Sequence, residues 1–162
     1  MCAIAQAACS NDRIRYWIDA LARTPAPTRD IVRRVCAETC VRLWAAAQME
    51  RVPRIERLVR AGAWVDAALL VIELDRPGWH LRRLLYEDGC WHCRLSRRPC
   101  LPDAIDDAVD ASHASLPLAI MIAALEAQRR DAEAPAACPP PRAAAANSPP
   151  EAAQAVCCDD FS

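Results

Sequence analysis

Residues 67–96, AALLVIELDRPGWHLRRLLYEDGCWHCRLS, hold the patterns that decide the fold. The first part, residues 67–75, is apolar and rich in Leu, Val and Ile until charges appear near its end, which predicts a buried strand. Residues 79–86 and 90–96 are bounded by turns that contain Gly, and they predict a second and a third strand. The stretch therefore predicts a three-stranded antiparallel β-meander.

The register of this meander follows from the loop Glu87-Asp88-Gly89, in which Gly occupies the left-handed position of a three-residue hairpin connection. With Tyr86 opposite Cys90, the loop sets Leu85 opposite Trp91. One face then collects the large apolar side chains, with Arg83 as its charged exception: Leu70, Ile72, Leu74, Trp79, Leu81, Leu85, Trp91, Cys93 and Leu95. The other face is expected to be wetter, with His80, Arg82, Tyr86, Cys90, His92 and Arg94.

The segments before the meander show the period of helices. A short helix is expected to end at the Pro-rich residues 24–27. Thr28 is a good N-cap for an amphipathic helix over residues 29–50, because apolar residues recur there at steps of three and four. Pro53 suits the first turn of another helix, which Gly62 is expected to end.

The segments after the meander also predict helices. From Asp103 onward, acidic residues are typical of the first turn of a helix. Ser115 is expected to cap a final helix that Pro117 opens, and this helix is central because it is apolar on most sides. Beyond residue 134 the chain consists mainly of Ala, Pro and Ser, which predicts a disordered tail.

Together these patterns predict the α+β class, with N-terminal helices, a three-stranded antiparallel β-meander, two C-terminal helices and a disordered Ala/Pro-rich tail. Residues 1–27 are expected to form a lead-in with a short helix, residues 28–133 the α+β domain and residues 134–162 the tail. A length of 162 residues fits one such domain.

The composition favours a cytoplasmic protein. A formal net charge of −1 gives no global reason to expect binding to nucleic acid or to an anionic membrane. The chain lacks a run of 18 apolar residues, so we expect no membrane span. Its ten cysteines follow no recognisable secretion signal, and we therefore expect free thiols in a reducing compartment.

No catalytic motif is recognisable in the sequence. A nucleophile elbow, a P-loop, a dinucleotide-binding turn and an HExxH zinc motif are all absent. Only three Gly occur in the chain, which argues against loops that cradle phosphate. The pattern therefore favours a protein that is not an enzyme.

The string WHLRRLLYEDGCWHCRLSR at residues 79–97 is followed by Leu101-Pro102, Asp106-Asp107, His113 and Leu116 to Ala119. Over about residues 79–128 this pattern resembles a group of small alphaproteobacterial (rhizobial-type) proteins of unknown function. The resemblance implies a bacterial cytoplasmic domain and implies no activity.

One cluster has the composition of a zinc site. Cys90 and Cys93, together with Cys100 and His113, offer the three thiolates and one imidazole of a tetrahedral set. Residues three apart on a strand point to opposite faces, however, so the hairpin end would have to open into a knuckle. The alternative is that these thiols are ordinary apolar fillers.

Charge is distributed unevenly along the chain. Residues 28–60 hold 8 Arg and 4 acidic residues, and residues 76–98 hold 6 Arg and 2, so each segment has a net charge of +4. Residues 103–134 hold 2 Arg and 7 acidic residues, a net charge of −5. Either the acidic segment packs beside the basic sheet and neutralises it, or a basic face stays open to RNA, DNA or an acidic protein. The sheet would offer Arg82, Arg83, Arg94, Arg97 and Arg98.

These observations favour a non-enzymatic bacterial interaction or regulatory protein with a protein partner. The alternatives are a small zinc-binding domain and a nucleic-acid-binding protein that uses the Arg-rich sheet face. The unpaired outer strands of a small sheet also allow a homodimer formed by strand pairing.

Overall fold

A computed structural model describes the chain at residues 2–44, 51–102 and 105–133. These ranges form an α+β fold, as the sequence predicted. Its elements are α1 (Cys2–Ala22), α2 (Arg29–Thr39), a 3₁₀ helix (Val41–Trp44), α3 (Val52–Arg60), α4 (Trp64–Asp75), β1 (His80–Glu87), β2 (Cys90–Ser96), β3 (Ala108–His113) and α5 (Leu116–Glu133). The tail predicted for residues 134–162 lies outside the described residues.

The strands form one antiparallel sheet in the order β1-β2-β3, and α5 packs on β2 and β3. The prediction of a central last helix is confirmed, because Leu118 and Ile120 are both buried although they lie on nearly opposite sides of α5. The backbone N–H of Ala119 bonds the carbonyl of Ser115 at 3.0 Å, at the start expected for this helix. None of the described helices combines the length and the apolar character needed to cross a membrane.

The strand predicted for residues 67–75 is wrong, because this segment belongs to α4. Leu70, Ile72 and Leu74 are buried, but so are Val71 between them and Ala67 before them. A buried strand and a helix buried on all sides both appear as a continuous apolar run, so the period does not separate them. α4 lies against α3, the 3₁₀ helix and α5, and of its residues only Asp66 and Glu73 are exposed.

The third strand of the sheet comes from residues 108–113, where a helix was predicted. The alternation of buried Val109, exposed Asp110, half-buried Ala111 and exposed Ser112 has the period of a strand. Asp103 lies outside the described residues. The acidic residues that suggested a helical first turn are bound instead to arginines of the sheet, so only one helix, α5, follows the strands in the described ranges.

The hairpin loop is one residue shorter than predicted. Glu87 pairs with Cys90, which leaves Asp88 and Gly89 as a two-residue turn with φ values of 52° and 80°. Two successive left-handed residues are typical of a type I′ turn. The predicted pair of Leu85 with Trp91 is therefore wrong.

The shorter loop changes which side chains of β1 face the core. Tyr86 lies opposite Trp91, and Leu84 opposite buried Cys93, whereas Leu85 points outward beside His92. A bulge between Leu81 and Arg83 restores the predicted pair of Leu81 with Leu95. Trp79 is buried as expected, but it lies just before β1.

The N-terminal helices are fixed by caps and buried polar contacts. Thr28 caps α2 through its side-chain oxygen, as predicted, but α2 ends at Thr39 instead of residue 50. Gln128 of α5 donates a hydrogen bond of 2.7 Å to the carbonyl of Thr39, which satisfies a buried acceptor at that end. α1 lies within the segment 1–27 that was predicted as a lead-in. It packs on α5 and contributes Ile14, Trp17 and Leu21 to the core.

Candidate binding groove between the second and third helices

The structure does not gather the predicted zinc ligands. Cys93 is buried on the core face of β2, whereas Cys90 is half-buried and points to the other face. Cys100 is exposed in the loop after β2, and Nδ1 of His113 accepts a hydrogen bond of 2.8 Å from the backbone of Ser115. Within the described ranges, no group of three or more His, Cys, Asp or Glu side chains is placed to hold a metal ion.

Burial also disfavours the ionised form of Cys93 that a metal would require. Desolvation, with a smaller contribution from the nearby charge of Asp110, raises the pKa of the Cys93 thiol to about 12. The thiolate is the form that binds metals and reacts with electrophiles. The side chain of Cys93 therefore behaves as a small apolar filler of the core.

Arg82 of the predicted basic face is held by a carboxylate of the segment before β3. Its Nη1 lies 2.6 Å from Oδ2 of Asp106, whose other oxygen accepts a hydrogen bond of 2.6 Å from Ser96. The hydrogen bonds from Ser96 and then from Arg82 lower the pKa of Asp106. Arg98 is exposed, and its backbone N–H donates to the hydroxyl of Ser96 at 3.0 Å.

Two more arginines of the predicted basic face are paired with acidic residues. Arg94 lies 3.4 Å from Asp110 across the sheet, and Arg97 forms an ion pair with Asp131 of α5. Arg83 is exposed and has no ion pair among the described residues. Much of the positive charge of β1 and β2 is thus neutralised by the acidic segment that follows in the chain, as one of the two sequence interpretations expected.

A groove runs between α2 and α3 and encloses a cavity of about 570 Å³. Its floor is apolar and is formed by Val32, Cys36, Leu43, Val52, Ile55 and Val59. A second depression shares Val59 and Arg60 with the first and continues to the half-buried indole of Trp64. Together they form a single open cleft, which we call the α2–α3 groove.

The rim of the α2–α3 groove is basic. Arg29, Arg33 and Arg60 line it, and none of the three forms an ion pair with a described residue. Arg34 also lines the groove, but it is occupied by other contacts: its guanidinium carbon lies 5.3 Å from the ring centroid of Trp17, and its Nε is 3.8 Å from Glu38. Asp30 and Glu56 are the acidic members of the lining, so arginines outnumber carboxylates at the groove.

The sequence builds this groove from two short amphipathic helices. On α2, Val32, Val35 and Cys36 turn inward, and Arg29 and Arg33 lie one turn apart on the exposed side. On α3, Ile55 and Val59 repeat at the same spacing and face α2. Because each helix has only one apolar stripe, the two touch lightly and leave the space between them open.

A buried charged cluster fixes the elements behind the groove. The Asp75 carboxylate accepts a hydrogen bond of 3.0 Å from the backbone N–H of Arg42 and lies 3.0 Å from Arg76. Burial raises the pKa of Asp75 in spite of these partners. Arg76 also reaches Asp131 at 3.4 Å, which ties α4 to α5. These groups lie inside the fold and are not open to a ligand.

The sequence indicated the basic character of the groove but did not locate it. The net charge of +4 over residues 28–60 was the signal, and Arg29, Arg33 and Arg60 fall within that range. The prediction named arginines of the sheet instead, because the sheet was the only surface to which the sequence pattern assigned individual residues. The angle between two helices is not encoded in the period of either one.

Comparison with protein-family models, with curated proteins and with solved structures finds no match. The resemblance of residues 79–128 to small alphaproteobacterial proteins therefore stays a prediction.

Proposed function

We propose that this protein is a non-enzymatic interaction protein that holds an acidic amphipathic helix of a protein partner in the α2–α3 groove. The observation that carries the proposal is the combination of an apolar floor with a rim of arginines, Arg29, Arg33 and Arg60, none of which forms an ion pair with a described residue. Helix-in-groove recognition requires both parts, an apolar surface for anchors and a polar rim for orientation.

The floor supports an apolar ligand segment. Its inward side chains are mostly Val, Ile and Leu, which offer no hydrogen bonds to a polar ligand, and the thiol of Cys36 is only a weak donor. Burial of apolar side chains from the partner would stabilise the complex by about 25 cal/mol for each Å² removed from water. The indole of Trp64 at the far end adds a large flat surface for one more anchor.

The length of the groove suits a short helix. α2 has 11 residues, which correspond to about 16 Å at the rise of an α-helix. A partner helix of roughly three turns would span this distance and present two or three apolar side chains on one face. Such a segment is long enough to be specific and short enough to be recognised as a linear motif.

The rim supports acidic residues on the partner. Guanidinium groups bind carboxylates through charge-assisted and often bidentate hydrogen bonds. Arg29, Arg33 and Arg60 have no carboxylate partner in the part of the chain that the structure describes, whereas Arg82, Arg94 and Arg97 on the sheet have one. The charge available to a ligand is therefore greater at the groove, which favours the acidic partner over a nucleic acid bound by the sheet.

The test uses a panel of labelled amphipathic helical peptides, with Leu at the anchor positions and Glu on the flanks. We expect saturable binding by fluorescence anisotropy, and weaker binding when Gln replaces Glu or Ser replaces Leu. Arg60→Glu should weaken binding by roughly threefold to tenfold. Arg57→Glu is the matched control, because Arg57 lies in the same last turn of α3 but outside the groove lining.

Three outcomes would contradict the proposal. The first is an absence of saturable binding by any peptide of the panel at low salt, where charge attraction is least screened. The second is equal binding of the Glu and Gln peptides, because the rim would then have no part in recognition. The third is displacement of the peptides by a long-chain fatty acid at lower concentration, which would indicate a lipid ligand for the same groove.

A further inference from the structure

The outer strand β1 has an unusually apolar free edge. Among the described residues, five large hydrophobic side chains are exposed, and three of them belong to this strand: Leu81 at 38%, Leu85 at 37% and Tyr86 at 57%. No other strand of the described ranges lies beside β1 on its open side, and α5 covers β2 and β3. An exposed apolar edge strand is a surface on which another strand can pair.

The hairpin geometry shows which backbone groups of β1 are available for pairing. The residues that close a two-residue turn, Glu87 and Cys90, exchange both of their hydrogen bonds. Hydrogen-bonded and non-hydrogen-bonded pairs alternate along an antiparallel ladder, so Leu85 is also bonded to β2. The N–H and C=O groups of Leu84 and Tyr86 then point away from β2, toward the open edge.

The sequence of this edge is complementary to itself. If two copies of β1 run antiparallel around a twofold axis at Leu85, Leu84 of one copy lies opposite Tyr86 of the other. In the same register Arg83 lies opposite Glu87, so that both ends of the contact join opposite charges. Within one chain, Arg83 and Glu87 are exposed and have no ion pair with a described residue.

We propose that two copies of the chain pair through residues 83–87 of β1 and form a continuous six-stranded antiparallel sheet. The free groups of Leu84 and Tyr86 meet each other in this register as hydrogen-bonded pairs, and the two Leu85 side chains pack across the axis. The bulge between Leu81 and Arg83 ends the regular strand and confines the contact to these five residues.

Other registers lose the charge match. An axis at Leu84 would place Arg83 opposite Leu85, and an axis at Tyr86 would place Leu85 opposite Glu87. Both leave a charged side chain against an apolar one and leave Arg83 without an acidic partner. The pairing of Arg83 with Glu87 therefore selects the register centred on Leu85, since cross-strand opposite charges stabilise a pair and like charges destabilise it.

Charge exchange tests this register. Arg83→Glu and Glu87→Arg should each bring like charges together at both ends and weaken the dimer by about tenfold. An equimolar mixture of these two variants should form a heterodimer, because every contact then joins opposite charges again. The double variant Arg83→Glu/Glu87→Arg should regain the homodimer. Residues four apart on a strand are about 13 Å from each other, so a contact inside one chain does not explain such a rescue.

Light scattering during size-exclusion chromatography measures the mass of the particle, and one chain has a mass of 17.8 kDa. Thermal unfolding followed by circular dichroism checks that each variant is folded, and peptide binding at the α2–α3 groove should be unchanged.

A wild-type chain that stays monomeric over the accessible concentration range would overturn the proposal. Single variants that dimerise as strongly as wild type, or a mixture that forms no heterodimer, would also overturn it. Growth into fibres instead of closed dimers would indicate pairing of β1 with a different edge and would equally count against it.

Discussion

The indole Nε1 of Trp79 donates a hydrogen bond of 3.1 Å to Oδ1 of Asp131, 52 residues further along the chain. The same carboxylate forms ion pairs with Arg76 and Arg97. The guanidinium of Arg97 also lies over the ring of Trp79, 5.0 Å from its centroid. Asp131 therefore joins the end of α5 to the start of β1 and to the end of β2.

Replacement of Asp131 by Ala should lower the free energy of unfolding by about 3 kcal/mol. The change leaves the indole of the buried Trp79 without its acceptor and removes one of the two carboxylates around Arg76. Urea denaturation measures the effect. Asp107→Ala is the control, because Asp107 is more exposed and its contacts with Arg97 and Arg130 are both 3.9 Å long. If both variants lost the same stability, Asp131 would have no special structural role.

Acid should weaken the contact between Arg82 and Asp106. Hydrogen bonds from Ser96 and Arg82 lower the pKa of Asp106 from the ordinary value of 3.8. A carboxyl whose pKa is lower in the folded state stabilises the fold above the unfolded pKa, and this contribution is lost as the pH falls through the folded pKa. We expect Asp106→Asn to be less stable than wild type at pH 7 and to lose less stability between about pH 4 and pH 2.

The same urea titrations at a series of pH values decide this prediction. Asp107→Asn serves as the control. This variant keeps Asp106, so its stability should fall with acid as steeply as that of the wild type. An Asp106→Asn protein whose stability falls with acid as steeply as that of the wild type would show that this carboxyl does not contribute.

The hairpin and the last helix were predicted correctly from the sequence, but the secondary structure predicted for two other segments was wrong. Residues 67–75 were predicted as a strand but belong to α4, and residues 108–113, which fell within the helix predicted from Asp103 onward, form β3. The segment at 67–75 is buried on most sides, with Glu73 its one exposed residue, so its apolar pattern does not separate a helix from a strand. Asp106, just before β3, and Asp110, within β3, are paired with Arg82 of β1 and Arg94 of β2, which are contacts between parts of the chain that are distant in sequence.

The hairpin turn can be tested by matched glycine substitutions. Gly89 has a φ of +80°, and a Cβ at either Gly89 or Gly78 would meet nothing within 4 Å. Any difference between the two sites therefore comes from the backbone and not from crowding. Gly89→Ala should cost about 1–2 kcal/mol of unfolding free energy, because an L-residue is strained in the left-handed region. Gly78→Ala should cost less than about 0.5 kcal/mol. Equal losses in denaturation experiments would contradict the type I′ turn.

The candidate site was less predictable than the fold. The excess of arginines over residues 28–60 was visible in the sequence, and so was the apolar stripe of α2. That these residues surround an open groove depends on the distance between α2 and α3, which pack on different elements: α2 lies against α1 and the 3₁₀ helix, whereas α3 lies mainly against α4. The four predicted zinc ligands do not come together in the structure, for a local reason that the sequence did contain, since residues 90 and 93 on one strand point to opposite faces.

The thiols of Cys93 and Cys100 should differ strongly in reactivity toward iodoacetamide. Burial raises the pKa of Cys93 to about 12 from an ordinary value of 9.0, which lowers its ionised fraction by about a thousandfold, and the side chain is also closed to solvent. Cys100 is exposed. Mass spectrometry of the alkylated native protein should show modification at Cys100 and protection at Cys93, and denaturant should abolish this protection. Rapid native labelling of Cys93 would mean that the hairpin opens on that time scale. The knuckle needed for a zinc site at Cys90 and Cys93 would then be accessible after all.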